Sequence, residues 1–186
     1  MYGMIHRAAR QMVTEQLGTE VWLDVIASAG VDESHFISGA TYGDQVTYAL
    51  IDGVVKATGL EGAQVLRAFG RYWIKFAGES AFASVMDMAG ENLPAFISNL
   101  NRMHSAVQTS LPDAVMPEFD LIQREGNRLE IRYVSDRTGL APFVAGLLEG
   151  LLDRFELEGA VTFDQDDCPV IFSVTYGPQS RAQTTR

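Results

Sequence analysis

The chain has 186 residues, 47% of them hydrophobic and 20% charged, values that suit one globular domain with a real core and exclude the disordered class. Its formal net charge of −10, with 14 Lys and Arg scattered along the sequence, argues against a sequence-independent nucleic-acid binder, because phosphate contacts need a basic face. The one cysteine, Cys168, excludes an intrachain disulfide framework and a cysteine-rich zinc site, and it points to a reducing compartment.

The opening "MYGMIHRAARQMVTEQLG" is too broken by His6, Arg7 and Arg10 for a signal peptide, and no apolar run approaches the roughly 18 residues of a membrane span. The expectation is a cytoplasmic protein with no membrane contact. Met4, Ile5, Ala8, Ala9, Met12 and Val13 recur at helical spacing, which predicts a helix from Tyr2 to about Leu17 stopped by Gly18. A second helix fits Thr19–Ala29 with Thr19 as its cap. The stretch "GVDESHFISGATYGDQ" is a loop holding a solvated His35, and a third helix spans about Asp44–Thr58. "LEGAQVLRAFGRYWIKFAGES" predicts a fourth, with Val65, Leu66, Phe69, Trp73 and Phe76 on its buried side and Gly78 closing it.

A short helix near Ser80–Met88 is followed by one long helix over residues 92–111, which "LPDAVMP" then breaks. Alternating runs at Phe119–Arg124 and Arg128–Val134, joined across "EGN", predict a hairpin. Residues 140–157 form a further helix, a second hairpin turns at Asp166–Cys168, and residues 177–186 make a disordered tail. Asp164, Asp166 and Asp167 lack the ligand spacing of a calcium loop and suit a solvated turn. The order of elements gives an α+β class: a helical N-terminal part packed against a C-terminal part with a small antiparallel sheet and an inserted helix. The boundaries expected are one domain over 1–176, divided near residue 60 into a helical part (1–60) and an α+β part (61–176).

Two features carry chemistry. In "NLPAFISNLNRMHSAVQTSLP", Ile97, Leu100, His104, Val107 and Leu111 share one helix face, so His104 points where the leucines point. An inward imidazole is either a hydrogen-bonded core residue or a neutral metal ligand, because a bare polar group there costs about 1–3 kcal/mol. In "LEIRYVSDR", Leu129, Ile131, Tyr133, Ser135 and Arg137 share one strand face that runs from apolar to phenol, hydroxyl and guanidinium. Such donors suit a dianion at the edge of a core; the alternative is an internal salt bridge from Arg137 to a local Asp.

The Tyr-x-Ser-x-Arg pattern of Tyr133, Ser135 and Arg137, downstream of the Asn-Leu-x-x-x-His of Asn99, Leu100 and His104, resembles the H-NOX family of haem-based nitric oxide and oxygen sensor domains. "MYGMIHRAARQMV", "LRAFGRYWIKFA", "MPEF" and "TGLAPFVAGLLEGLL" resemble bacterial stand-alone members in content and order, so the likeness runs from Met1 to about Tyr176. The resemblance implies a b-type haem between the two parts, with His104 as proximal iron ligand. It implies propionates on Tyr133, Ser135 and Arg137, Pro117 against the porphyrin, and Ile5, Trp73 and Pro142 on the distal side. The structural zinc site of some members, which needs several cysteines and another histidine, is not expected here.

The implied function is gas sensing without catalysis. Nitric oxide and carbon monoxide are bound, oxygen is excluded, and the signal passes in trans to a histidine kinase or a cyclic-di-GMP enzyme. The resemblance further implies that nitric oxide weakens or breaks the iron–histidine bond. The rival readings are a haem-dependent oxygen-binding or redox enzyme, for which no distal acid–base pair is visible, and a haem-free module for a small dicarboxylate.

Overall fold

The computed structural model describes residues 1–32, 36–164 and 169–179. His35 and the expected turn at Asp166–Cys168 lie outside the described residues, as do residues 180–186 of the tail. The N-terminal helices are α1 (Gly3–Leu17), α2 (Thr19–Ala29), α3 (Asp44–Thr58) and α4 (Gly62–Gly78). Then come α5 (Ala83–Ala89), α6 (Leu93–Ser98), α7 (Leu100–Ser110), strands β1 (Glu118–Glu125) and β2 (Arg128–Val134), α8 (Ala141–Arg154), β3 (Leu157–Phe163) and β4 (Val170–Pro178). The α+β architecture is the one expected. The sheet is antiparallel in the order β1-β2-β4-β3, with α8 crossing between its two hairpins.

Local differences from expectation have physical causes. The predicted long helix over 92–111 is two helices, because Asn99 leaves helical geometry at φ −99°, ψ 2° and its amide donates to Ala89 O, at the end of α5. Asn92 caps the first of them by accepting from Ala95 N. Gly18, at φ 98°, takes the cap position expected for Thr19. The short helix begins at Ala83, three residues late, because the Ser80 hydroxyl accepts from Phe82 N and closes a turn first. Gly177 and Pro178, expected in the tail, extend β4 opposite Glu158 and Leu157.

Two hydrophobic clusters hold the molecule. One joins α1, α2 and α3 through Ala8, Val13, Trp22, Val25 and Leu50; the other joins the sheet and α8 through Leu129, Ile131, Val144, Leu148 and Phe172. Helix α4 serves both: Val65, Phe69 and Tyr72 belong to the first, Ile74 and Ala77 to the second. That is why Leu66, Trp73 and Phe76, expected on a single buried face, are only half-buried. Helices α4 and α8 pack so closely that a Cβ on Gly146 would lie 2.0 Å from Arg67 O, and one on Gly70 would lie 2.0 Å from Phe143 O. Arg67–Glu149 and Arg71–Asp153 pairs flank this crossing.

Candidate functional site

The sequence places an imidazole, an apolar slot and a row of donors far apart along the chain, and the fold brings them to one cavity of about 280 Å³ between the two clusters. Helix α7 supplies Leu100, Met103, His104 and Val107; the segment after it supplies Ala114, Met116 and Pro117. Trp73, Ile74 and Ala77 come from α4, and Met4 and Ile5 from α1, beside Tyr2 and Thr41, which are joined by an isolated β-bridge. A separate surface recess by Asn92, Ser98, Arg124 and Tyr176 holds no imidazole.

His104 is half-buried in the cavity wall, with Nδ1 3.2 Å from Pro117 O. A carbonyl only accepts, so Nδ1 carries the proton and donates it. Burial lowers the affinity of this imidazole for a second proton, the Pro117 contact raises it in part, and the net pKa lies below the ordinary value. The neutral ring therefore has its lone pair on Nε2, the form a metal binds. Phe119 packs its ring 5.9 Å from His104 and 5.2 Å from Tyr133, linking the imidazole to the strand face.

On that face Leu129, Ile131 and Tyr133 alternate inward as expected, and all are buried. The strand ends at Val134, so Ser135 and Arg137 reach the cavity from a turn, closed by Arg137 N donating to Ser135 Oγ at 3.1 Å. Arg137 Nε donates to Asp44 Oδ2 at 2.9 Å and Nη1 to Val115 O at 3.2 Å. A guanidinium has five N–H donors, so the fork keeps capacity for a ligand carboxylate. The salt bridge considered from sequence exists, but its partner is on α3 rather than nearby in the chain. The same Asp44 binds the N-terminal ammonium at 2.9 Å. Burial pushes the Asp44 carboxyl up, but the ammonium and guanidinium bonds outweigh it and hold the pKa below its ordinary value.

Of the residues singled out from sequence, His104, Pro117, Tyr133, Ser135, Arg137, Ile5 and Trp73 line this cavity. Pro142 does not. It is buried in the first turn of α8, whereas the helix presents Phe143, Val144, Leu147, Leu148 and Leu151 to the cavity at steps of three and four. Position 142 falls off that stripe, and Phe143 takes the place expected for it. Sequence reasoning also missed Asp44, Tyr2 and Thr41, which lack any local pattern that would point inward.

Residues 2–162 match the family described as Haem-NO-binding, HNOB. The chain belongs to this family of haem-based gas sensors. It is 27% identical over 152 residues to the soluble guanylate cyclase gcy-34 of Caenorhabditis elegans, covering 80% of this chain and 22% of that protein. It is 32% identical over 91 residues to the guanylate cyclase soluble subunit beta-2 of Rattus norvegicus, covering 49% of this chain and 13% of that one. The chain thus spans less than a quarter of the length of either cyclase. The fold superposes on an H-NOX protein from S. oneidensis in its Fe(II) state with a TM-score of 0.87 at 18% identity, over 97% of this chain and 98% of that one. The Fe(II)NO state of the S. oneidensis protein gives 0.84 at 19% identity, over 97% and 100%.

HNOB domains bind haem, an apolar disc with an iron at its centre and two carboxylates on one edge, and the residues present fit it. The slot is walled by hydrocarbon from α1, α4, α7 and α8, one neutral imidazole carries its lone pair on Nε2, and phenol, hydroxyl and guanidinium line the same cavity.

Proposed function

We propose that this domain is a nitric oxide sensor. Bound haem b supplies a ferrous iron that captures diatomic gases; the chain holds and selects. His104 presents Nε2 to the iron, Arg137 and the hydroxyls of Tyr133 and Ser135 bind the propionates, and Pro117 presses on the macrocycle. Ile5, Trp73 and Phe143 bound the space left for the gas. The observation that carries this reading is the neutral His104, its Nδ1–H given to Pro117 O, in the wall of an apolar cavity that Tyr133, Ser135 and Arg137 also line.

Selectivity follows from what α8 offers. Oxygen on ferrous haem draws charge onto its outer atom and is held well when a hydrogen-bond donor meets it; nitric oxide and carbon monoxide need much less help. The cavity stripe of α8 is Phe143, Val144, Leu147, Leu148 and Leu151, all hydrocarbon. Trp73, Tyr2 and Thr41 carry the donors nearest in kind, and we assign them to filling space and closing the wall. The protein therefore binds nitric oxide and carbon monoxide and excludes oxygen. By the family resemblance it passes the signal to a separate protein, a histidine kinase or a cyclic-di-GMP enzyme, in a bacterial cytoplasm. Among the described residues no helix is long and apolar enough to cross a membrane.

Absorption spectra of protein expressed with ample haem test the reading. The expected result is a Soret band that is unchanged for reduced protein in air and shifts with carbon monoxide and with nitric oxide. Absence of the band would remove the sensor reading. A stable oxygen adduct would remove the selectivity, and its loss in Trp73→Phe would identify that indole as the donor.

A further inference from the structure

Three side chains of α7 lie along the segment that carries Pro117, and they bond to it in order. Asn101 pairs with the backbone of Phe119 in both directions, Nδ2 donating to Phe119 O and Phe119 N donating to Oδ1, each at 2.9 Å. His104 meets Pro117 O, and Gln108 Nε2 donates to Ala114 O at 2.8 Å. Positions 101, 104 and 108 share one helix face, so this face is zipped antiparallel to residues 119, 117 and 114. Two amides thus bracket the one carbonyl that fixes the His104 tautomer. Polar residues on a helix usually serve solubility, and Asn101 is largely exposed, yet its amide matches a backbone donor and acceptor as a neighbouring strand would.

We propose that Asn101 and Gln108 are positioning residues for the iron ligand: they hold the 114–119 segment on α7 so that Pro117 O stays on His104 Nδ1–H and the Pro117 ring stays in the cavity wall. An imidazole whose Nδ1–H is given to a carbonyl is a stronger donor through Nε2. Loosening either amide lets the carbonyl drift, weakens that donation and lowers the strength of the iron–histidine bond. This inference rests on the proposed ligand role of His104.

The test uses the ferrous haem-loaded protein and resonance Raman spectroscopy of the iron–histidine stretch. Isosteric variants remove a bond while keeping shape: Gln108→Glu cannot donate to Ala114 O, and Asn101→Asp keeps the acceptor for Phe119 N but sets a carboxylate oxygen against Phe119 O. Each is expected to move the stretch to lower wavenumber and broaden it, and the double variant to move it further. Ser105→Ala, which removes a hydroxyl bonded back to Asn101 O within the helix, is expected to leave it in place. In the haem-free protein, nitrogen-15 NMR of His104 reads the same hydrogen bond, with a protected Nδ1–H in wild type and faster exchange in both variants, so poor haem retention does not hide the answer. An unshifted stretch in the double variant, or unchanged Nδ1–H exchange, overturns the positioning role and leaves His104 as ligand. A wild-type protein that binds haem without an iron–histidine stretch overturns the reading beneath it.

Discussion

His6 and His104 both lie on inward faces of amphipathic helices, and the two regions around them surround the same side chain differently. His6, in the N-terminal cluster, is fully buried, with Nε2 2.9 Å from Thr47 Oγ1 and the rings of Phe36 and Tyr42 packed 4.8 and 5.2 Å away. Its Nδ1 is buried with no partner among the described residues. Burial first, and the N-terminal ammonium second, push its pKa down to about 4, so it is a neutral packing residue. His104 is also neutral, but its proton is given to a backbone carbonyl and its ring lines a cavity. One imidazole is enclosed by packed rings; the other has a nitrogen claimed by the protein and its ring against a cavity, the arrangement that the proposed ligand role needs.

The comparison breaks most sharply at His6. His6→Ala opens a hole in a packed core and strands Thr47, so it is expected to destabilise the domain by about 2–4 kcal/mol in chemical unfolding. The haem spectrum should stay as in wild type. A spectrum altered as much as the stability would mean that the two regions are not distinct in function.

Haem transfer to an acceptor protein sharpens the other side. Arg137→Ala is expected to speed haem loss more than Ser135→Ala, because the guanidinium brings charge and several N–H donors while the hydroxyl brings a neutral one. Equal rates for wild type and both variants would leave Arg137 as no more than the partner of Asp44.

A smaller effect distinguishes the regions by pH. The unfolded chain protonates His6 near its ordinary value of 6.5, whereas the folded chain resists until about 4. The stability from keeping it neutral is therefore whole above 6.5, declines as pH falls from 6.5 to 4, and is lost below. His6→Leu is expected to unfold with a flatter pH dependence across that window. An identical slope in wild type and variant would show that His6 does not titrate there.

Legibility in the sequence followed the range of the interaction. The inward face of α7, the alternation through Tyr133 and the amphipathic course of α1 are local periodicities, and the structure keeps them. The Asp44–Arg137 pair joins positions far apart in the chain, and neither residue carries a local sign of the other. Pro142 rests on the family resemblance rather than on the phase of α8, and the cavity stripe of that helix begins one residue later, at Phe143. Asn99 lies within a continuous apolar rhythm, and the break there shows only in the folded chain, in its dihedral angles of φ −99°, ψ 2° and its bond to Ala89 O. Asn101 and Gln108 have the composition of a solvated face, and their partners are backbone atoms that no side-chain pattern records.

The central claim, that His104 is the bond between protein and iron, is tested most directly by the iron–histidine stretch of ferrous His104→Gly with and without added imidazole. The expected result is a stretch present in wild type, lost in His104→Gly, and regained when free imidazole fills the vacated space. An unchanged stretch in His104→Gly without imidazole would contradict the assignment.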